Sequence, residues 1–326
     1  MKLILYSTSF IAANALIFNG FEKSPLNPKN FFADLFSLSD NIIKDLPNIA
    51  NLKPPVRLPV PTKVRTPPAS EVKRHWFHGT YSYCMLSKAI DFKCLFNCPS
   101  YKVTKTFEDI LLGTFAIAGH DPVTKEIIVS HRGSSNLRNW LSDFNYQKTN
   151  MIGAPEGILL HKGFWDVYQS TAEDLNKYLM AMLDNPQFKG YKVVFTGQSL
   201  GGAVATIHAV DMAHKVKAKG FDIELYTYHS PRVGNQAFVD YTISQDITIA
   251  RFTNRGDLVS HVGPRQYDYV HVPGEFHSDS SDLFGLTFHE CSQEYDEDPA
   301  CGWKEIMNIW LLDHIAGFGQ PVNFAC

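Results

Sequence analysis

The sequence predicts an α/β fold built on a mainly parallel central sheet, and three observations carry that expectation. From about residue 84 onward, short apolar runs alternate with longer stretches of helical periodicity. A Gly-x-Ser-x-Gly turn at residues 197–201 joins one such run directly to a helical stretch. The chain has 326 residues, 44% of them hydrophobic and 19% charged, enough to bury a large core.

The N-terminus is read first. Lys2 precedes an apolar stretch from Leu3 to Ala15, interrupted by Ser7, Thr8 and Ser9, and Ala13-Asn14-Ala15 fits a small-x-small cleavage site. Residues 1–15 therefore read as a secretory signal peptide. Residues 25–68 hold nine of the 18 prolines. Within them, residues 47–69 carry Lys53, Arg57, Lys63 and Arg65 with no acid, a linker-like composition. Phe31, Phe32, Leu35, Phe36, Ile42, Ile43 and Leu46 fall at helical spacing and suggest one short amphipathic helix. Residues 16–69 thus read as a pro-segment or N-terminal extension, and 70–326 as the main domain. Lys73-Arg74 is a candidate dibasic processing site, although it falls inside a helix-like run that starts at Ser70.

In the main domain, residues 114–118 and 126–131 read as strands joined by a turn at His120-Asp121-Pro122. A helix over 163–184 places Tyr168, Ala172, Leu175, Leu179 and Met182 on one face and stops before Pro186. A strand over 191–196 leads into a helix over 200–217, and further strands follow at 225–228 and 247–252. The six cysteines are Cys84, Cys94, Cys98, Cys291, Cys301 and Cys326. An even number behind a signal-like start indicates disulfides and export, with about 15 pairings open from sequence. The net charge of −3 argues against a nucleic-acid partner. No apolar run is long enough for a transmembrane helix. Cys94-x3-Cys98 and Cys291-x9-Cys301 lack a partnering histidine motif, so no metal or cofactor is expected. Oligomeric state leaves no mark on the sequence.

The chemistry centres on Gly197-Gln198-Ser199-Leu200-Gly201. A serine on a sharp strand-to-helix turn needs small residues two positions away on either side, and Gly197, Gly201 and Gly202 meet that need. The start of the helix adds partial positive charge where an oxyanion would develop. A serine nucleophile requires a base, and the base an orienting acid, in the chain order Ser, Asp or Glu, His for α/β-hydrolase-type folds. Asp257 follows a late strand, and His261, His271, His277, His289 and His314 follow it as candidate bases. Spacing alone does not choose among them.

The residues resemble the secreted fungal class 3 lipases, the family of the Rhizomucor and Rhizopus enzymes and of yeast extracellular lipases. The resemblance spans about residues 70–326. It is carried by Tyr83-Cys84, His131-Arg132-Gly133-Ser134-Ser135, Arg138-Asn139-Trp140, His161-Lys162-Gly163-Phe164 and the turn around Ser199. Ser230-Pro231-Arg232-Val233-Gly234-Asn235, the segment from Arg251 to Asp257, and Asp313-His314 complete it.

The resemblance implies an α/β-hydrolase-type fold with a nucleophile elbow and a helical lid. It makes Ser199 the nucleophile, Asp257 the orienting acid and His314 the general base. The oxyanion hole would be the N–H of Leu200 with the N–H and hydroxyl of Ser134. The lid would start after Ser134, with Leu137, Trp140, Leu141 and Phe144 at i, i+3, i+4 and i+7 forming its apolar face. Disulfides would join Cys84 to Cys326, Cys94 to Cys98 and Cys291 to Cys301.

Two departures stand out: Gln198 where the family usually has histidine, and Ser260 where it usually has proline. Neither position performs chemistry, so altered rate or specificity is expected there rather than lost activity. The expected function is a secreted triacylglycerol lipase acting on lipid esters at lipid–water interfaces. A feruloyl or short-chain esterase or a phospholipase is the alternative, and the apolar Trp140, Leu141 and Phe144 weigh against a feruloyl-type polar lid. A catalytically silent lipid-binding protein is the alternative of another class, opposed by the intact Ser199, Asp257 and His314 set.

Overall fold

In a computed structural model of the chain, the structure describes residues 55, 64–84, 100–134, 145–279, 287–307, 311–318 and 320–321. The signal-peptide reading, nearly all of the extension, the lid residues Leu137, Trp140, Leu141 and Phe144, and Cys94, Cys98 and Cys326 lie outside the described residues.

The main sheet has eight strands: β1 (Lys102–Asp109), β2 (Thr114–Asp121), β3 (Glu126–His131), β6 (Lys192–Gln198), β7 (Ile223–Tyr228), β8 (Thr248–Asn254), β9 (Glu275–Ser278) and β10 (His289–Glu290), in that spatial order. Pairings from β3 through β9 are parallel, whereas β1–β2, β2–β3 and β9–β10 are antiparallel. Two small ribbons lie apart from it, β4 (Lys148–Asn150) with β5 (Leu159–His161), and β11 (Ala316–Gly317) with β12 (Gln320–Pro321). The mainly parallel sheet is as expected, with antiparallel strands added at both ends.

Continuous apolar runs such as Ile127-Ile128-Val129 and Val193-Val194-Phe195 are what a sheet covered on both faces requires. Successive side chains point to opposite faces. Ile127, Val129, Val193, Phe195, Ile223 and Leu225 enter one apolar layer, under the helices α2 (Lys162–Leu183) and α3 (Leu200–Ala218). Ile128, Val194, Tyr226, Tyr228 and Ala250 enter the other, under α1 (Ala69–Tyr81), which contributes Val72 and Trp76. A short fourth helix, α4 (Gln236–Ser244), follows β7.

α2 buries Tyr168, Ala172, Leu175, Leu179 and Met182, the stripe its periodicity predicts. It starts where the His161 ring accepts the Phe164 N–H at 3.3 Å. α3 is buried almost all round because it lies between the sheet and α2.

β1, β9 and β10 were not legible in the sequence. β1 reads Lys-Val-Thr-Lys-Thr-Phe-Glu-Asp and is mostly exposed, an edge strand guarded by charge. β9 buries Glu275 and His277, polar residues that conceal its burial.

Residues 64–68 fall inside the stretch read as an extension, yet they bond to the main domain. The Ile249 N–H donates to the Arg65 carbonyl at 2.9 Å, and the Val64 N–H to the Gln293 side chain at 3.1 Å. Lys73-Arg74 lies within α1, where Arg74 pairs with the buried Glu126 at 2.5 Å. Cleavage there would sever α1 and strip Glu126 of a cation.

Candidate active site

Ser199, Leu200, Asp257 and His314, with Ser134 following Gly133, gather at the C-terminal edge of the parallel strands, where open α/β sheets present their ligands. β6 runs into Ser199, β7 into His229, β8 into the turn before Asp257, and β3 into residues 132–134.

Ser199 has φ 61° and ψ −134°, a conformation that costs about 1–3 kcal/mol for a non-glycine residue. Its N–H is anchored on the Tyr228 carbonyl at 2.9 Å, and its own carbonyl accepts from Gly202 at 2.9 Å. The flanking glycines are obligatory. A Cβ on Gly197 would stand 2.3 Å from the Gly201 carbonyl oxygen, and one on Gly201 would stand 2.1 Å from that of His131. Leu200 is the first residue of α3, so its N–H has no acceptor within the helix. Gly133 lies close against this turn: a Cβ there would come 3.0 Å from Ser199 Cβ and 2.6 Å from the Gln198 carbonyl oxygen. The half-buried Ser134 follows directly.

Asp257 and His314, both buried, are in contact. His314 Nδ1 lies 3.0 and 3.1 Å from the two carboxylate oxygens, so the proton sits on Nδ1 and Nε2 is left as acceptor. Asp257 also accepts the Val259 N–H at 2.9 Å and the Ser260 hydroxyl at 3.2 Å. Burial pushes the Asp257 carboxyl up, but the charge and hydrogen bond of His314, the nearby His229 and the Val259 N–H outweigh it. The net effect holds the group below its usual range.

Of the other candidate bases, His271 faces the Ser260 carbonyl at 2.7 Å and His277 lies beside the Thr253 hydroxyl at 2.9 Å. His261 is pushed down to about 4, chiefly by burial, and His289 lies on the exposed edge strand β10.

The Ser199 hydroxyl is buried without a hydrogen-bond partner among the described residues. His314 Nε2 is approached instead by the Gln198 amide nitrogen at 3.3 Å. That nitrogen also donates to the His314 carbonyl at 2.8 Å, while the Gln198 oxygen accepts from Tyr83. A second donor, His229 Nδ1, reaches the same carbonyl at 2.6 Å. Gln198 and Ser260, the two family departures, therefore touch the base and the acid respectively.

The sequence reading missed His229. It sits at φ 55°, a backbone conformation rare for a side-chain-bearing residue, and it is fully buried. Burial lowers its ring to about 4, so it stays neutral and donates from Nδ1. Its place directly after an apolar strand and next to Ser230-Pro231 was the available signal. The candidate ligand atoms of His229, Asp257 and His314 lie within 4.8 Å of one another. Both Nδ1 atoms, however, are already committed to oxygen acceptors.

Beneath the Asp257 loop lies a buried ion cluster. Arg232 pairs with Glu297 at 2.9 Å and donates to the His261 and Gly263 carbonyls at 2.7 and 3.2 Å. Arg265 pairs with Asp296 and, at 3.1 Å, with Glu297. The loop that brings both acids is closed by the Cys291–Cys301 disulfide, as expected. Cys84 is also disulfide-bonded.

Residues 128–267 match the profile of the family Lipase (class 3). The chain is 32% identical to a lipase of Rhizomucor miehei over 67% of its own length and 59% of the relative's. It is 34% identical to a secreted mono- and diacylglycerol lipase of Fusarium solani, over 68% and 66% respectively. It thus spans about six-tenths of the length of these curated relatives. Among solved structures, a triacylglycerol lipase whose catalytic centre is a serine-protease triad superposes with a TM-score of 0.69 at 28% identity. That match covers 81% of this chain and 100% of the other. The fold it shares is of the α/β-hydrolase type.

Proposed function

The chain belongs to the fungal class 3 lipase family, and from that premise we propose that it is a serine ester hydrolase acting on triacylglycerol at lipid–water interfaces. One observation carries the reading: a buried Asp257–His314 pair with its acceptor nitrogen free of the acid, beside a serine held in strained geometry at the start of a helix.

In the proposed mechanism, His314 Nε2 takes the Ser199 proton as Oγ attacks the ester carbonyl. For this the Ser199 hydroxyl replaces the Gln198 amide as the group facing Nε2. Asp257 holds the imidazole in the Nδ1–H tautomer and stabilises the imidazolium. The N–H of Leu200 and Ser134 receive the oxyanion, each such donor worth about 3 kcal/mol. His314 then returns the proton to the leaving alcohol, and water clears the acyl-enzyme by the same steps in reverse. Leu137, Trp140, Leu141 and Phe144 would form the apolar face of the lid.

Mono- and diacylglycerols are a second substrate reading, favoured by the Fusarium solani relative. Export is proposed on that relative's description as secreted and on the Cys291–Cys301 disulfide. Cys84–Cys326 and Cys94–Cys98 are proposed as the remaining bridges. We propose that an N-terminal segment is removed and that it ends before Val64 rather than at residue 69, a reading supported by the bonds of residues 64–66 to the domain.

The test is hydrolysis of p-nitrophenyl butyrate and of emulsified triolein, diolein and monoolein by the purified protein and by Ser199→Ala. Glyceride turnover that disappears in the variant is expected. Turnover confined to butyrate would move the chain to the short-chain esterases, and activity equal to that of the variant would remove it from the enzymes.

A further inference from the structure

Ile110, Leu111 and Leu112 form the tip of the β1–β2 hairpin and are 85%, 96% and 53% exposed. Single exposed leucines are ordinary on a protein surface, but three large apolar residues in succession at a projecting turn are not. The other exposed large hydrophobics among the described residues, Val123, Ile152 and Tyr267, stand singly in the sequence.

The tip is built, not slack. Pairing continues up to Asp109 opposite Thr114, and the Asp109 carboxylate accepts the Leu112 N–H at 3.0 Å. Gly113 closes the turn at φ +65°, with open space around it. Arg132 clasps it from the side, donating from Nη2 to the Gly113 carbonyl at 2.9 Å while its guanidinium lies 5.1 Å over the Phe115 ring.

The same arginine fixes where the tip projects. Ala116 of β2 is paired with His131, and His131 with Gly197 of the serine turn. The residue after Arg132, Gly133, is the one held against Ser199. The hairpin tip therefore leaves the sheet at the edge that carries the proposed nucleophile.

We propose that Ile110-Leu111-Leu112 is a docking prong that inserts into a neutral lipid surface and holds the Ser199 edge towards it. The proposal rests on the lipid-ester reading above. A convex tip of three side chains is too small for a stable protein interface, which needs about 800 Å² from each partner. Insertion into lipid requires no complementary shape, only apolar area to remove from water. The charged residues flanking the tip are Glu108, Asp109 and Arg132, so attraction to an anionic membrane is not the driving force. Binding should accordingly persist at high salt.

The test measures flotation of the full chain with phosphatidylcholine-stabilised triolein droplets in a Ser199→Ala background, where binding is read without turnover. Changing Ile110, Leu111 and Leu112 to serine together should weaken partition about tenfold or more at low and high salt alike. The same triple change with Ser199 intact should leave soluble p-nitrophenyl butyrate turnover and the melting temperature unchanged. In a separate Leu111→Trp variant, the fluorescence added at position 111 should shift to the blue on addition of droplets. Unchanged flotation of the triple variant, or an unmoved spectrum, overturns the proposal. So does sedimentation showing that the triple change dissociates a dimer, since the tip would then meet a second copy. Loss of the hydrolase reading would show separately, as ester turnover indifferent to Ser199→Ala, while flotation still decides the prong.

Discussion

Asp257→Asn changes one atom in size-conserving fashion and should remove almost all turnover while leaving the fold intact. The Asp257 carboxylate accepts from Val259 N–H, Ser260 Oγ and His314 Nδ1. An asparagine oxygen can keep the backbone N–H at 2.9 Å, which places the amide NH₂ where the second oxygen stood, 3.1 Å from His314 Nδ1. The retained oxygen still stands 3.0 Å from Nδ1, but the NH₂ now beside it repels an Nδ1–H and welcomes a bare Nδ1, which shifts the imidazole toward the Nε2–H tautomer that cannot accept from Ser199. Charge stabilisation is lost as well: a carboxylate and an imidazolium about 3 Å apart attract by about 5 kcal/mol at an effective dielectric near 20. At about 1.4 kcal/mol per decade this gives a fall in kcat of about 10⁴, the size attached to the same change in serine proteases. The assay is kcat on p-nitrophenyl butyrate at saturation, with thermal melting as the control for folding. A variant that melts normally and keeps kcat within about tenfold of the parent would refute the assignment of Asp257.

Three further outcomes are expected. Gln198→Ala removes one of the two donors to the His314 carbonyl and should lower kcat about three- to tenfold with KM unchanged, the worth of one hydrogen bond, as read from steady-state kinetics. Glu297→Ala leaves Arg232 without its carboxylate in a buried site and should cost about 3–5 kcal/mol, lowering the melting temperature by about 10 °C in calorimetry. Burial raises the Asp313 carboxyl to about 7, although Arg255 at 3.5 Å opposes the shift. The folded chain then holds a proton that the unfolded chain releases near pH 4, so stability falls as pH rises from about 4 to 7. Urea midpoints across that window should decline less steeply in Asp313→Asn than in the parent.

The sequence by itself determined the parts whose signal is local. The Ser199 turn was legible because a strained strand-to-helix junction demands Gly197 and Gly201 at fixed offsets, and their Cβ positions would indeed meet backbone at 2.3 and 2.1 Å. The central strands were legible as continuous apolar runs, the pattern of a sheet covered on both faces, and α2 because its burial repeats with the helical period. The edge strand β1 was not, since its lysines and threonines mark exposure rather than pairing.

Only the tertiary structure decided which groups surround the base. Spacing left five histidines open after Asp257, and family resemblance pointed to His314. It was the fold that brought that ring to the carboxylate across a separation of 57 residues. It also set Gln198 and His229 on the His314 carbonyl, the first a position expected to tune rate or specificity and the second one the sequence does not single out. The physical reason is the same throughout. A strand end, a turn and a C-terminal loop converge on a sheet edge through packing that buries about a hundred side chains among the described residues, and no short window of sequence records which polar groups meet there.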